Sequence, residues 1–160
     1  MIAREFEQFL LKHMEHYLIA ASDLAIIIDS HNTDHASLLL ASDGYSRVPV
    51  ITKDKIYVGT IAISDIMAYK AKNQLTDWEM SQLPISKMVN HKIETVADGA
   101  ELTEVMHKLV DNPFLPVLGQ DKQFLGIITR KSILKAVNSL LHDFTETYDI
   151  IEKGQTESAD

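Results

Sequence analysis

Two adjacent basic residues, Arg130 and Lys131, follow an apolar run that ends at Thr129. The run predicts a strand and the residues after it predict a helix, so both cations stand at a helix N-terminus. Backbone N–H groups and the helix dipole favour an anion there, and arginine can bind phosphate oxygens through two hydrogen bonds. This segment is therefore a candidate phosphate site, with solvated surface charge as the alternative.

Asp65 occupies the start of another predicted helix. Its carboxylate could accept hydrogen bonds from sugar hydroxyls, or simply complement the helix dipole as a first-turn acid. Both interpretations stay open from the sequence.

Two groups of residues have metal-ligand chemistry, but we predict no metal site. The first spans a predicted strand-to-helix turn, where such polar residues are expected as caps. The second is a pair three residues apart on the first predicted helix, a spacing that equally suits a helix edge meeting a dimer partner. The groups are Asp29, His31, Asp34 and His35, and His13 and His16.

The sequence offers no pattern for a catalytic centre. It has no cysteine, no Gly-x-Ser-x-Gly elbow, no Walker loop and no Gly-x-Gly-x-x-Gly run. Glu101 and Glu104 lie on a predicted helix where no geometry supports hydrolysis. We therefore predict a binding protein and not an enzyme.

The charge balance argues against nucleic acid as a partner. The 160 residues include 15 basic and 23 acidic ones, a net charge of −8, which repels a polyanion over most of the surface. Charged residues interrupt the N-terminal apolar residues, and the apolar runs are too short to span a bilayer. We predict a cytoplasmic protein without a membrane segment.

Apolar periodicity predicts an α/β fold with an amphipathic N-terminal helix over residues 1–18. After it, the predicted order is strand, helix, strand, strand, helix, and this order returns after a bridging stretch in which Trp78 and Leu83 should pack. The first set covers 24–28, 36–41, 48–51, 56–63 and 64–71, and the second covers 93–96, 102–110, 115–118, 124–129 and 132–144.

The two halves align without a gap at an offset of 67 residues, for example 116 − 49 for Pro116 and Pro49. A repeated unit that cannot bury its own apolar face implies packing against its twin. The matched pairs are Pro49 and Pro116, Val50 and Val117, Asp54 and Asp121, Lys55 and Lys122, Gly59 and Gly126, Ile61 and Ile128, and Ile66 and Ile133.

These segments resemble cystathionine-beta-synthase (CBS) repeats. The likeness covers residues 18 to 142 and rests on Gly44-Tyr45-Ser46-Arg47-Val48-Pro49-Val50 with Val58-Gly59-Thr60-Ile61, and on Pro113-Phe114-Leu115-Pro116-Val117 with Leu125-Gly126-Ile127-Ile128-Thr129. It implies a pseudo-twofold CBS pair with two nucleotide clefts. The expected boundaries are an N-terminal helix at 1–17, repeats at 18–72 and 88–144, a bridging segment at 73–87, and a polar tail at 145–160.

The resemblance also implies which residues face each cleft. In each cleft, the first strand and Gly-to-Pro segment of one repeat meet the ribose motif of the other, which in this family is Thr or Ser, two residues, then Asp. Neither motif is complete here, because the two repeats read Ala62-Ile63-Ser64-Asp65 and Thr129-Arg130-Lys131-Ser132. The first cleft would join Leu24, Ala25, Ile26, Tyr45, Ser46, Arg47 and Pro49 to Thr129, Arg130 and Lys131. The second, expected to be weaker, would contain Asp65, Thr95, Phe114 and Pro116.

In finer detail the chain is similar to the stand-alone CBS-pair proteins of Gram-positive bacteria that bind cyclic di-AMP. Three cations in one cleft suit a ligand with two or more phosphate charges. The likeness implies a homodimer that alters a partner such as a stringent-response nucleotide synthetase. Sensing of AMP, ADP or ATP through Asp65, or a ligand-free dimeric adaptor, are the alternatives.

Overall fold

A computed structural model of the protein describes residues 3–11, 17–42 and 44–152. Helix α1, Arg4–Leu11, buries Leu10. Its Phe6 ring meets Phe144 edge to face at 4.7 Å, so α1 lies against the end of the chain's last long helix. Of the predicted helix, residues 1–2 and 12–16, including His13 and His16, lie outside the described residues.

The first repeat has the predicted β-α-β-β-α order. Its elements are β2 (Ile27–Ile28), α2 (Thr33–Ser42), β3 (Val48–Ile51), β4 (Tyr57–Ile61) and α3 (Ile63–Asn73). The strands form a sheet in the order β2-β3-β4, with β2 parallel to β3 and β4 antiparallel to β3.

The second repeat has the same order and one additional strand. Its own elements are β5 (Val96–Ala97), α5 (Leu102–Asp111), β6 (Phe114–Leu118), β7 (Phe124–Thr129) and α6 (Arg130–Asp143). The additional strand β1, Leu18–Ala20, pairs antiparallel with β7, giving the sheet order β1-β7-β6-β5.

The chain thus begins in one sheet and crosses to the other between Ala20 and Ile27. This crossing is the reason why the predicted strand 24–28 is shortened to two residues, since 21–26 leave one sheet before the ladder of the next begins. Leu18, expected in a helix, instead pairs with Ile128.

The bridging stretch contains helix α4, Asp77–Ser81, capped by Thr76, whose Oγ1 accepts from the Glu79 N–H. Met80 and Ile85 from this stretch are buried in the core of the first repeat. Leu83 packs there as predicted, but the expectation for Trp78 is wrong: its side chain is 72% exposed. It sits in the first turn of a five-residue helix whose inward position belongs to Met80.

The sheets of the two repeats pack face to face through Ile51, Phe114, Phe124 and Ile127. At one end the two hairpin turns meet, and the Phe124 N–H donates to the Lys55 carbonyl at 2.9 Å. The pseudo-twofold relation extends to backbone irregularities, because Lys55 and Lys122 both have positive φ. The bulges after Val50 and Val117 also match.

The matched glycines Gly59 and Gly126 mark where another chain segment runs alongside the second strand of each β-hairpin. A Cβ on Gly126 would lie 2.1 Å from the Ile19 carbonyl oxygen, and one on Gly59 would lie 2.7 Å from the Asn90 carbonyl oxygen. Close approach of backbone therefore excludes a side chain at both places. The α/β class and the tandem β-α-β-β-α architecture predicted from the sequence are confirmed.

Candidate functional site

The two candidate site helices begin directly after strands β4 and β7, each with a polar residue at its third position. At α6, Thr129 Oγ1 accepts from the Ser132 N–H at 3.1 Å, and Ser132 Oγ accepts from the Thr129 N–H at 3.3 Å. At α3, Asp65 Oδ2 accepts from the Ala62 N–H at 2.9 Å. These bonds satisfy amide groups that a helix start leaves unpaired.

Asp65 also bonds two residues from other parts of the chain, Arg47 and Asn90. Its Oδ2 accepts from Arg47 Nη1 at 2.8 Å, and its Oδ1 accepts from Asn90 Nδ2 at 3.0 Å. The same Arg47 nitrogen donates to Thr60 Oγ1 at 2.9 Å. The sequence placed Arg47 and Asp65 in opposite clefts, whereas the structure joins them in a half-buried ion pair.

Arg130 reaches the C-terminal end of helix α5. Its Nε donates to the Leu109 carbonyl at 2.9 Å and its Nη2 to the Val110 carbonyl at 3.1 Å. A cation in this position bonds carbonyls that have no partner within the helix and complements the negative end of its dipole. Arg130 thus has a structural role that the sequence did not reveal.

Lys131 and Thr129 line a groove of about 480 Å³ that we call the second-repeat groove. Within the described ranges, the Lys131 ammonium has no ion pair or hydrogen bond, so it is available to an anion. The groove lies along the first turns of α6 and beside the start of β1, and its lining is Tyr17, Ile19, Thr129, Lys131, Ser132, Lys135, Ala136 and Ser139.

The first-repeat residues that the sequence predicts to face Thr129, Arg130 and Lys131 do not line the second-repeat groove. Leu24 and Ile26 pack against the inter-sheet cluster that contains Ile127, two residues before Thr129. Ala25 packs into the core of its own repeat, as alternation along an extended segment requires. Tyr45 and Ser46 are exposed, and Pro49 is buried opposite Thr60.

The residues predicted for the weaker cleft do not line one common cavity. Phe114 and Pro116 are buried, and Phe114 belongs to the inter-sheet cluster. Thr95 lines a cavity of about 320 Å³ with Tyr57 and Lys122, and its carbonyl accepts from Lys108 Nζ. Asp65 lines a different groove.

That groove, the first-repeat groove, has a volume of about 470 Å³ and is the pseudo-symmetric counterpart of the second-repeat groove. Asp65, Ala68, Tyr69 and Lys72 stand 67 positions before Ser132, Lys135, Ala136 and Ser139. Its other wall is Lys87, Met88, Val89, Asn90, His91 and Lys92.

The sequence did not reveal the basic residues of this wall. Lys87, His91 and Lys92 lie more than twenty residues after Asp65, where the bridging segment joins the second repeat, and this stretch carries no motif. The one available signal was three basic side chains within six residues of a chain with a net charge of −8.

Burial raises the pKa of the Tyr57 phenol to about 12, and the nearby Arg47 charge opposes this rise. The ring stacks on Phe124 at a centroid distance of 6.0 Å. Both rings belong to the contact between the two sheets, so the Tyr57 side chain helps to hold the repeats together.

For the metal-ligand candidates, the structure gives a contact between the His31 and His35 rings at 4.6 Å. Among the described residues, no three His, Asp or Glu side chains are grouped so that they could hold a metal ion. None of the helices in the same part of the chain is both long and apolar enough to cross a bilayer.

Two β-α-β-β-α repeats that face each other across their sheets define a CBS pair. Residues 19–72 and 85–139 each match the CBS domain family, and the chain belongs to that family.

Among known structures, the chain is similar to CbpB from Streptococcus agalactiae, with 66% identity over 95% of this chain and 96% of that one, and a TM-score of 0.91. A structure of CbpB in complex with c-di-AMP is 67% identical, covering 91% of this chain and 97% of that one with a TM-score of 0.84. The cyclic di-AMP receptor B of Bacillus subtilis is 24% identical over 139 residues, 86% of this chain and 95% of the relative.

Proposed function

We propose that this chain is a cyclic di-AMP receptor that acts as a binding switch and not as a catalyst. The observation that carries the proposal is its 67% identity to a CbpB protein whose structure is a complex with c-di-AMP, over 91% of this chain. At that level of identity the residues around a ligand are expected to be largely shared.

The ligand would lie where the first strand of one repeat meets the end of β7. Leu24 and Ile26 pack against the inter-sheet cluster that contains Ile127, two residues before Thr129, and this packing supports the proposed location. Strand backbone groups can read the polar edge of an adenine while apolar neighbours hold its faces. The proposed contacts are those expected from the sequence: Leu24, Ala25, Ile26, Tyr45, Ser46, Arg47, Pro49, Thr129, Arg130 and Lys131.

The cations differ in what they must give up to bind a phosphate. Lys131 is exposed and lines the second-repeat groove together with Lys135, so its ammonium can meet a phosphate directly. To bind a phosphate, Arg47 would have to break its hydrogen bond to the Asp65 carboxylate. Arg130 would have to break its hydrogen bonds to the backbone carbonyls at the C-terminal end of α5. Ligand binding would then be coupled to the geometry of both repeats.

A linear nucleotide held through Asp65 is less favoured. A ribose diol needs a free carboxylate oxygen, and both oxygens of Asp65 already accept hydrogen bonds from the protein.

The switch would act through a homodimer that contacts a regulated protein, such as a stringent-response nucleotide synthetase. Support for a dimer comes from exposed apolar residues on matching helices: Met67 of α3 is 58% exposed and Leu134 of α6, 67 positions later, is 59% exposed. Such paired patches suit contact with a second copy.

Isothermal titration of the full chain with cyclic di-AMP, AMP, ADP and ATP in parallel tests the proposal. We expect tight binding of cyclic di-AMP alone, and at least about tenfold weaker binding in Lys131→Ala, because a charge-assisted bond to phosphate is lost. Lys53→Ala, an exposed hairpin lysine, is the matched control and should bind normally. A preference for a linear nucleotide, or no heat with any ligand, would reject the proposal.

A further inference from the structure

The first-repeat groove gathers positive charge in a protein that is otherwise acidic. Lys72 of α3 forms part of one wall, and Lys87, His91 and Lys92 belong to the other. All four side chains are exposed. Across the described residues, the three ammonium groups make no ion pair, whereas Lys70 and Lys108 are paired with Asp77 and Glu104.

The one acid in the lining does not cancel this charge. Asp65 is held by the Arg47 guanidinium at 2.8 Å and by the Asn90 amide, so its negative charge is already compensated within the protein. The groove therefore presents a locally positive surface on a chain whose net charge is −8. Acidic groups are attracted to this groove and repelled by the negative surface around it.

The shape of the groove suits an extended polypeptide. Asp65 and Lys72 are two helical turns apart on α3, so the groove is about 10 Å long at 1.5 Å per residue. That length matches about three residues of extended chain. Between the cations, its surface is apolar, with Ala68, Tyr69, Met88 and Val89.

The second wall also has a backbone edge. The Asn90 N–H and carbonyl both bond Thr60 of β4, so the alternation of an antiparallel pair turns the backbone groups of Val89 and His91 away from that strand. In the described part of the chain these groups have no backbone partner. Such an edge can accept an added strand.

We propose that the first-repeat groove is the docking site for an acidic, extended segment of the regulated partner protein. Carboxylates of that segment pair with Lys72, Lys87 and Lys92, and its backbone lies along the edge at Val89 and His91. The inference rests on the proposed function for the existence of a regulated partner. None of the contacts proposed above for cyclic di-AMP involves the three lysines of this groove.

A short fluorescein-labelled peptide of consecutive glutamates is the probe, and its anisotropy is measured with the full chain. We expect saturable binding that weakens with salt and falls about tenfold or more in Lys72→Gln/Lys87→Gln/Lys92→Gln. The control Lys53→Gln/Lys55→Gln/Lys122→Gln removes the same charge from the hairpin turns and should bind as the parent does. Equal weakening in both variants would show a nonspecific charge effect and overturn the proposal.

The chain has no cysteine, so a single introduced one can report where the peptide binds. A dye on Ala68→Cys, in the groove, should respond to the peptide, while a dye on Val110→Cys, on exposed α5 surface, should not. Displacement of the peptide by equimolar inorganic pyrophosphate would assign the groove to a small phosphate ligand instead and would overturn the proposal.

Calorimetry of the groove variant with cyclic di-AMP separates this inference from the proposed function. Unchanged cyclic di-AMP binding with lost peptide binding supports both. Peptide binding by a chain that does not bind cyclic di-AMP would reject the receptor function alone. Cyclic di-AMP binding that fails in the groove variant but not in the parent would overturn the separation of the two sites.

Discussion

At the scale of single residues, one position has different functions in the two repeats. Asp65 and Ser132, 67 positions apart, both accept a backbone N–H at a helix start. Asp65 also accepts from Arg47 and Asn90, so it connects the start of α3 to the residue before β3 and to the chain that follows the bridging segment. Ser132 exchanges hydrogen bonds with Thr129 at its own helix start. The carboxylate therefore contributes more to tertiary structure than the hydroxyl does.

Replacing Asp65 with alanine should lower the free energy of unfolding by about 2–3 kcal/mol, because it removes three hydrogen bonds and leaves Arg47 without its carboxylate. The matched substitution Ser132→Ala should cost about 1 kcal/mol, as the loss of a cap does. Urea denaturation measures both values. Equal losses in the two variants would contradict the assigned difference.

Stability should decrease at high pH because of Tyr57. Burial raises the pKa of its phenol to about 12, against 10.0 for an exposed phenol. Between these values the folded state binds more protons than the unfolded state, so the free energy of unfolding falls as pH rises from 10 to 12. In Tyr57→Phe, urea midpoints across this range should fall less steeply than in the parent. An identical pH dependence would show that Tyr57 does not contribute.

The residue types of the candidate site were readable from the sequence, but their partners were not. The pairing of Val48 with Ile61 brings Arg47 near Asp65, although 18 residues separate them in the chain. Likewise, the Arg130 side chain bonds the carbonyls at the C-terminal end of α5 because α5 and α6 pack together. Such partners depend on strand register and helix packing, which no local pattern contains.

At the scale of secondary structure elements, β1 connects the two repeats, because it precedes the first repeat in the chain and pairs with β7 of the second. Gly126 allows this pairing because the Ile19 carbonyl lies where a Cβ would be. The φ of Gly126, +156°, also disfavours a side chain. The matched glycine at 59 has the same function towards Asn90. The repeat of glycines at an offset of 67 thus has a steric cause.

Gly126→Ala should destabilise the protein by about 3 kcal/mol or more, because rigid backbone blocks the new methyl group and the conformation is strained. Gly44→Ala is the control: its φ is +66° but no atom lies within 4 Å of the added Cβ, so only about 1 kcal/mol is expected. Thermal unfolding compares the two. A smaller loss at Gly126 than at Gly44 would contradict the close approach of β1.

The order of elements was predictable because hydrophobic periodicity and turn residues are local. The sequence did not reveal β1, since Leu18 fits the apolar stripe of the preceding helix as well as it fits a strand. Only its pairing with Ile128, 110 residues later, decides between the two. The exposure of Trp78 has a similar cause. Met80 and the residues packed around it decide which side of the short helix α4 faces the core.

At the scale of the whole molecule, two copies of the chain should associate through the matched helices α3 and α6. Light scattering should give the mass of a dimer, and Met67→Asp with Leu134→Asp should shift it towards the monomer by placing charges in an apolar contact. Ile150→Asp, in exposed C-terminal chain, is the control and should leave the mass unchanged. A monomeric mass for the parent chain, with and without cyclic di-AMP, would exclude the dimer.

The most direct test of the receptor function is an NMR titration of the isotopically labelled 160-residue chain with cyclic di-AMP. We predict saturable shifts concentrated at the amides of residues 24–26, 45–48 and 129–131, where the two repeats would hold the ligand together. Shifts centred on Asp65 and residues 87–92 would place the nucleotide in the other groove. A spectrum unchanged at saturating ligand would contradict the receptor function itself.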